Sequence, residues 1–379
     1  MRGHISKRGN KYSFVLDIGR DPVTKKRRQK RVSGFKTKKD ATEAMTTMIN
    51  ELNRGMYVET TNDTFSDYLD RWLKHKKTRV AHSTYEHYKT YVDNHIKPAI
   101  GNVLVHELRP LILQDFYDSL LEQNKLAKQS IRHIQRIVSN CLNLGVKMGE
   151  IKTNVSTTID PIRISKKEQL YWNKHEVDIF LNAAKGHIHY IAFYLAIFTG
   201  MRQGEILGLK WDSIDFDNKT LYVQRGLKKI EGGYELNDLK NSSSYRSIAM
   251  SDGLYEELKK HRKRQNEIKL KIGEGYDNQD FVVATKVGTF VLPTNLGRAF
   301  RLICNKLEIP KIRFHDLRHT HASLLFSQNI HPKIVQERLG HSSIEITLDT
   351  YSHMLPNMQE SAAQKLDEMF ENTSNKNLL

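Results

Sequence analysis

Cysteine is almost missing from this chain of 379 residues: only Cys141 and Cys304 occur, in separate helical patterns. Two thiols so placed exclude a disulfide framework and a thiolate metal cluster, and they fit a reducing cytoplasm. Long apolar runs are missing as well. The longest candidate, residues 190–199, is too short to cross a bilayer and reads as a buried helix. The first residues are basic with no apolar segment behind them, so neither a secretory leader nor a membrane partner is expected. Internal repeats are absent, and low complexity is confined to residues 372–377. Acidic residues are in deficit: 43 Asp and Glu stand against 60 Lys and Arg, a net charge of +17. A surplus of that size is an electrostatic footprint for polyanions. With 39% hydrophobic and 27% charged residues the chain reads as globular, long enough for two or three domains.

The charge is unevenly spread. Residues 1–57 hold 15 Lys and Arg against 5 Asp and Glu. Residues 12–18 alternate as a strand, Arg20-Asp21-Pro22 turns the chain, and residues 25–32 return as a basic strand. Residues 37–53 are helical, with Ala41, Ala44, Met45 and Met48 as the apolar stripe. A small sheet bearing Lys25, Lys26, Arg27, Arg28, Lys30 and Arg31 can enter a DNA groove. A solvated basic face is the plainer alternative, and the charge density favours nucleic acid over it.

A polar stretch, residues 58–63, reads as a linker. Residues 64–151 are helical throughout. Phe65, Tyr68, Leu69 and Trp72 make one amphipathic face, and Tyr85, Tyr88 and Tyr91 follow at three-residue intervals before Pro98 closes that helix. Such a tyrosine row is more often core than a base-stacking platform. Residues 111–121 and 131–146 supply two further helices. Lys77, Arg132 and Arg136, with Lys74, Lys76, Arg79, Lys89 and Lys128, are candidate phosphate contacts on these helices. Residues 152–167, rich in Thr, Ser, Pro and Lys, read as a second linker. The remainder alternates helices with strands at 221–223, 234–239 and 246–250.

Four pieces of that last segment carry chemistry. In Thr199-Gly-Met-Arg202-Gln-Gly-Glu205 a buried helix breaks at Gly200 and a new one starts with Arg202 in its first turn. Glu205, three residues on, can orient the guanidinium toward a phosphate oxygen. In Leu239-Lys240-Asn-Ser-Ser-Ser-Tyr-Arg246 a hairpin offers Lys240 as a proton donor, although a solvated hairpin lysine is the simpler reading on spacing alone. In His315-Asp-Leu-Arg318-His319 an imidazole and a guanidinium share a helix start, where an anion is favoured. His315 and His319 are four apart, but no HExxH and no further ligands accompany them, so a metal is disfavoured. In Leu339-Gly340-His341, ten residues before Tyr351, a helix ends at Gly340. Tyr351 itself stands among Asp, Thr, Ser and His, surroundings unlike those of a core tyrosine. Cleavage of a phosphodiester without a metal needs fixed cations around the non-bridging oxygens, here Arg202 and Arg318 aided by His315 and His341. Tyr351 would be the nucleophile and Lys240 the acid for the departing 5′ oxygen. The bond energy stays in the phosphotyrosine, so no metal, nucleotide or other cofactor is expected.

The ordered set Arg202, Lys240, His315-x-x-Arg318, Leu-Gly-His341 and Tyr351 resembles the tyrosine recombinase family, including the integrases of phages and conjugative transposons. The resemblance covers nearly the whole chain. It implies a multidomain, mainly α protein: a small basic β-sheet-plus-helix arm-type DNA-binding domain (1–57), a helical, SAM-like core-binding domain (64–151) and an α+β catalytic domain with a C-terminal tail (168–379). It also implies a homotetramer synapsing double-stranded DNA at core and arm-type sites. Strand exchange would pass through a 3′-phosphotyrosine and a Holliday junction, with an excisionase or host DNA-bending protein as accessory. Such an enzyme would work in a bacterial cytoplasm, on the nucleoid. Lys228 and Lys229 remain alternatives to Lys240, because hairpin lengths vary. Residues 359–371, with Ala362, Ala363, Leu366, Met369 and Phe370 apolar, could pack on a neighbouring protomer or on their own domain. Two rival functions stand beside this one. A monomeric type IB topoisomerase-like relaxase is disfavoured by the basic arm, and a catalytically idle DNA-binding regulator by the intact set from Arg202 to Tyr351.

Overall fold

The computed structural model describes residues 3–20, 24–54, 57, 62–165, 170–238, 245–351, 363–364 and 366–367. It divides into two compact units, Met1–Ser165 and Lys166–Leu379.

The first unit opens with an antiparallel sheet of β1 (Gly3–Arg8), β2 (Lys11–Arg20) and β3 (Arg27–Phe35), in that order. β1 carries only one large apolar residue, Ile5, so its own pattern does not announce a strand; its pairing along β2 makes it one. β3 starts at Arg27 and not at Lys25, which sits in the turn with φ 57°. Helix α1 (Lys38–Asn53), capped by Thr37, packs on one face. Phe14 and Leu16 of β2 and Ala41 of the helix are buried.

The helices that follow share a core around Trp72, Phe116, Ile134 and Val138. α2 (Phe65–Lys77) begins at a reciprocal Thr64–Asp67 cap, and the face read from its sequence is the buried one. The next helix does not end at Pro98. α3 (His82–Tyr91) widens into a π turn, Val92–Ile96, and resumes as α4 (Lys97–Ile100). Proline lacks the N–H and crowds the preceding turn, and the wider turn just before it accommodates both defects. α5 (Pro110–Glu122) and α6 (Lys128–Met148) complete the layer, and Gly149 ends α6 in the left-handed region. The expected second linker is partly built in: Asn154 is buried, and Ile159 and Ile162 pack against the helical core.

The second unit centres on α8 (Tyr190–Thr199), buried on nearly all sides, with α7 (Lys174–Ala184) and the aromatic group Trp172, Phe180, Phe193 and Phe300 around it. After the short α9 (Gln203–Leu207) come β4 (Ile214–Asp215), β5 (Thr220–Val223), β6 (Arg225–Ile230), β7 (Gly233–Asp238) and β8 (Arg246–Ala249). β4, β5 and β8 form one sheet, while β6 and β7 form a separate hairpin. β7 pairs with β6 and β8 with β5, so the two strands that flank Lys240 do not pair with each other as the hairpin read from the sequence requires. α10 (Asp252–Ile272), α11 (Pro293–Cys304), α12 (Asp316–Phe326), α13 (Pro332–Leu339) and α14 (Ile344–Tyr351) follow. Cys141 and Cys304 are free and buried. Among the described residues no helix is long and apolar enough to cross a membrane.

Candidate active site

α8 runs into Gly200, whose left-handed φ of 66° turns the chain toward Arg202. Arg202 is the cap before α9, one step earlier than its sequence suggested. Its backbone N–H donates to Glu205 Oε2 at 2.9 Å and its Nη1 to Glu205 Oε1 at 2.9 Å. Nη2 reaches across to the carbonyl of Gly340 at 3.2 Å. The carboxylate is buried and also accepts from Arg246 Nη2 at 2.8 Å. Burial alone would raise its pKa, but Arg246 and then Arg202 outweigh burial and hold it below the ordinary carboxylate range.

Arg318, on α12, is buried and donates through Nη1 to the carbonyl of Gly200 at 2.8 Å. His315 sits at the helix start. Burial and the nearby Arg318 lower its pKa. The His319 ring stands edge-on to it at 5.7 Å and is pushed down to about 4, by burial first and His315 second. No group of three or more His, Cys, Asp or Glu that could hold a metal occurs among the described residues.

α13 ends at Gly340, φ 68°, and the turn presents His341. His341 Nδ1 lies 2.8 Å from the buried hydroxyl of Thr347, which ties the turn to α14. Burial and the charges of Arg318 and Arg202 push its pKa down to about 4. These imidazoles are therefore neutral at pH 7, each with one N–H to donate. Tyr351 is the last residue of α14, four residues beyond Thr347. Its side chain lies outside the described residues. Lys240 does too, as does most of the tail at 359–371. Of the two alternative lysines, both in β6, Lys228 Nζ donates to the Asp238 carbonyl at 3.1 Å.

The structure thus gathers Arg202, His315, Arg318 and His341, pieces spread over 140 positions of sequence, into one cationic cluster. It adds Glu205's second partner, Arg246, which sequence spacing could not reveal because β8 supplies it from a separate sheet.

The basic residues expected on DNA are placed unevenly. Lys25, Lys26, Arg27, Arg28 and Arg31 are exposed, with Arg27 Nε paired to Asp17 at 2.6 Å. Lys30 is different: it stands opposite buried Leu16, on the face covered by α1, and is half-buried. The open face carries Arg31 together with Arg8 and Lys11, which the sequence pattern did not single out because β1 was not recognised. Lys77 and Arg136 are exposed and Arg132 is half-buried. The tyrosines pack as partly buried core, yet Tyr88 and Tyr91 also line a cavity of about 400 Å³ with His87, His133 and Arg136.

Residues 171–358 match the phage integrase family. Residues 64–121 match the phage integrase N-terminal SAM-like domain and residues 4–52 an arm DNA-binding domain. A XerC-like tyrosine recombinase of Caldanaerobacter subterraneus is 31% identical over 95% of this chain and 96% of its own. The chain belongs to the phage integrase family. It is a tyrosine-type site-specific recombinase, an enzyme that cleaves and rejoins DNA. The ICEBs1 integrase of Bacillus subtilis is 24% identical over 94% of this chain and 97% of its own. Among solved structures, the Tn1549 transposon integrase in complex with transposon right end DNA has a TM-score of 0.69 at 21% identity, covering 80% of this chain and 99% of that one. A lambda integrase tetramer bound to a Holliday junction has a TM-score of 0.56 at 20% identity, covering 89% of this chain and 95% of that one. These likenesses place the recombinase in the integrase fold.

Proposed function

We propose that this recombinase integrates and excises a mobile element with Tyr351 as nucleophile and Arg202, Lys240, His315, Arg318 and His341 as the assisting groups. The observation that carries the reading is the convergence of two guanidiniums and two neutral imidazoles from three separate chain segments. The Tyr351 oxygen bonds to phosphorus as the bond to the 5′ oxygen breaks. Lys240 protonates that oxygen, and the phenolic proton goes to solvent. Arg202 and Arg318 neutralise the charge that grows on the non-bridging oxygens, and His315 and His341 donate hydrogen bonds to it. In the tautomer in which the Thr347 hydroxyl donates to Nδ1 of His341, the ring proton is on Nε2, available to the phosphate.

In this reading residues 1–57 bind arm-type sites, 64–151 the core site, and 168–379 perform the chemistry. Lys77, Arg132 and Arg136 contact core DNA, and the exposed cations of the small sheet contact the arm. Four protomers on two duplexes exchange strands through a Holliday junction in the bacterial cytoplasm, with an excisionase or host DNA-bending protein setting direction. A nicked core-site duplex tests the chemistry. A covalent 3′-phosphotyrosyl adduct forms in EDTA and is lost in Tyr351→Phe; an adduct that persists in the variant overturns the nucleophile. Deleting residues 1–57 weakens arm binding and spares core cleavage, and unchanged arm binding refutes that domain assignment.

A further inference from the structure

Arg246 opens β8 and its side chain is only 6% exposed. Its Nη2 holds Glu205 Oε2 at 2.8 Å and its Nε donates to the Arg338 carbonyl at 2.7 Å. The guanidinium lies against Gly340, where an added Cβ would stand 3.0 Å from Nη1. Glu205's other oxygen takes Arg202 Nη1, and Arg202 Nη2 reaches the Gly340 carbonyl. These contacts close a ring from Arg202 through Glu205 and Arg246 to the Arg338–Gly340 turn, and back to Arg202.

A second cation here could merely neutralise a buried carboxylate. Neutralisation alone, however, leaves unexplained the bond to the Arg338 carbonyl and the fit against Gly340. An arginine and a carboxylate left to themselves favour a two-bond fork. With Arg246 removed, only the Arg202 backbone N–H would still hold Glu205 Oε2, and the carboxylate could swing that oxygen onto the Arg202 guanidinium and draw it back. We propose that Arg246 is a positioning residue for the reaction. By occupying Oε2 of Glu205 beside the Arg202 backbone N–H, it leaves the Arg202 guanidinium a single bond to that carboxylate and keeps it extended toward the phosphate, and it fixes the turn that presents His341 in register with it. Arg246 touches no reacting atom. The inference rests on Arg202 being a phosphate ligand, as proposed above.

The test uses the full-length recombinase on nicked core-site duplexes whose scissile linkage is either a phosphodiester or a neutral methylphosphonate, with Arg246→Met, Arg246→Lys and Arg202→Ala. Arg246→Met should bind core DNA nearly as the parent does, yet cleave the phosphodiester at least about tenfold more slowly in single turnover. The deficit should shrink on the methylphosphonate, as it should for Arg202→Ala, because the neutral linkage asks less of the misplaced cation. Arg246→Lys, which keeps the buried charge but not the fork, should fall between. A folded Arg246→Lys or Arg246→Met that cleaves at the parental rate overturns the proposal. So does a deficit equal on both linkages, which would mean structural support alone. If Arg202→Ala is itself insensitive to the linkage, the phosphate-ligand reading fails; if it is sensitive and Arg246→Met is not, only this inference fails.

Discussion

The Arg318 guanidinium donates to the backbone carbonyl of Gly200 at 2.8 Å, so a catalytic-unit arginine is aimed by a residue that can only be glycine. Gly200 has a left-handed φ of 66°, and a Cβ there would lie 2.6 Å from His321 Cδ2 and 2.7 Å from Leu339 Cδ2. Both neighbours are buried, so neither can step aside. Gly200→Ala should lower stability by about 1–3 kcal/mol through strain and overpacking. It should also slow adduct formation while leaving core-site binding intact. Calorimetry beside single-turnover cleavage checks both, and an unchanged melting temperature would remove the steric argument.

Glu205 serves two arginines at once, one of them almost fully enclosed. Breaking a buried ion pair from one side leaves an uncompensated charge and costs about 3–5 kcal/mol. Glu205→Ala should therefore destabilise the recombinase by that order, far more than loss of an exposed pair such as Lys219–Asp252. Urea unfolding of the two variants side by side distinguishes these outcomes. Equal midpoints would mean that the buried network carries no special weight.

Burial gives the site histidines a pH signature. Burial and Arg338 push His321, whose Nδ1 sits on the Ile197 carbonyl, down to about 3, and His319 and His341 lie near 4. In the unfolded chain these rings titrate at about 6.5. The unfolded state thus binds more protons in between, so their contribution is whole above pH 6.5 and drains away as pH falls toward 4. The melting temperature should decline through that window. His321→Gln should flatten the slope, whatever it does to the absolute value. A variant that falls as steeply as the parent would show that His321 does not drive the transition.

Legibility from sequence followed how locally each feature is caused. α2 was readable because Phe65, Tyr68, Leu69 and Trp72 are buried on one side only, which prints a helical period. β1 and β6 were missed, because GHISKR and RGLKKI hold their places through partners on β2 and β7 and have little pattern of their own. Pro98 misled because the adjoining π turn absorbs it. The site's motif residues could be named singly, since each needs a particular side chain at a particular break. What joins them could not be: Gly340 to Arg202, Arg246 to Glu205 and Gly200 to Arg318 are contacts between distant segments, and spacing does not encode them.

The small sheet makes a prediction of the same kind. Directly paired residues share a face, so Arg31, opposite Val15, points away from α1, whereas Lys30, opposite buried Leu16, points toward it. Arg8 and Lys11 pair with each other on the open side. Arg31→Ala should weaken binding to arm DNA and reduce the slope of log affinity against log salt by about 0.9, one phosphate's share. Arg8→Ala should do the same, and Lys30→Ala should change the slope little. Anisotropy titrations across a salt series separate these cases. If Lys30→Ala alters the slope as much as Arg31→Ala, the charge of the segment matters without its register. A full effect at Arg31 beside a small one at Lys30 would instead mean that the duplex lies along the open face.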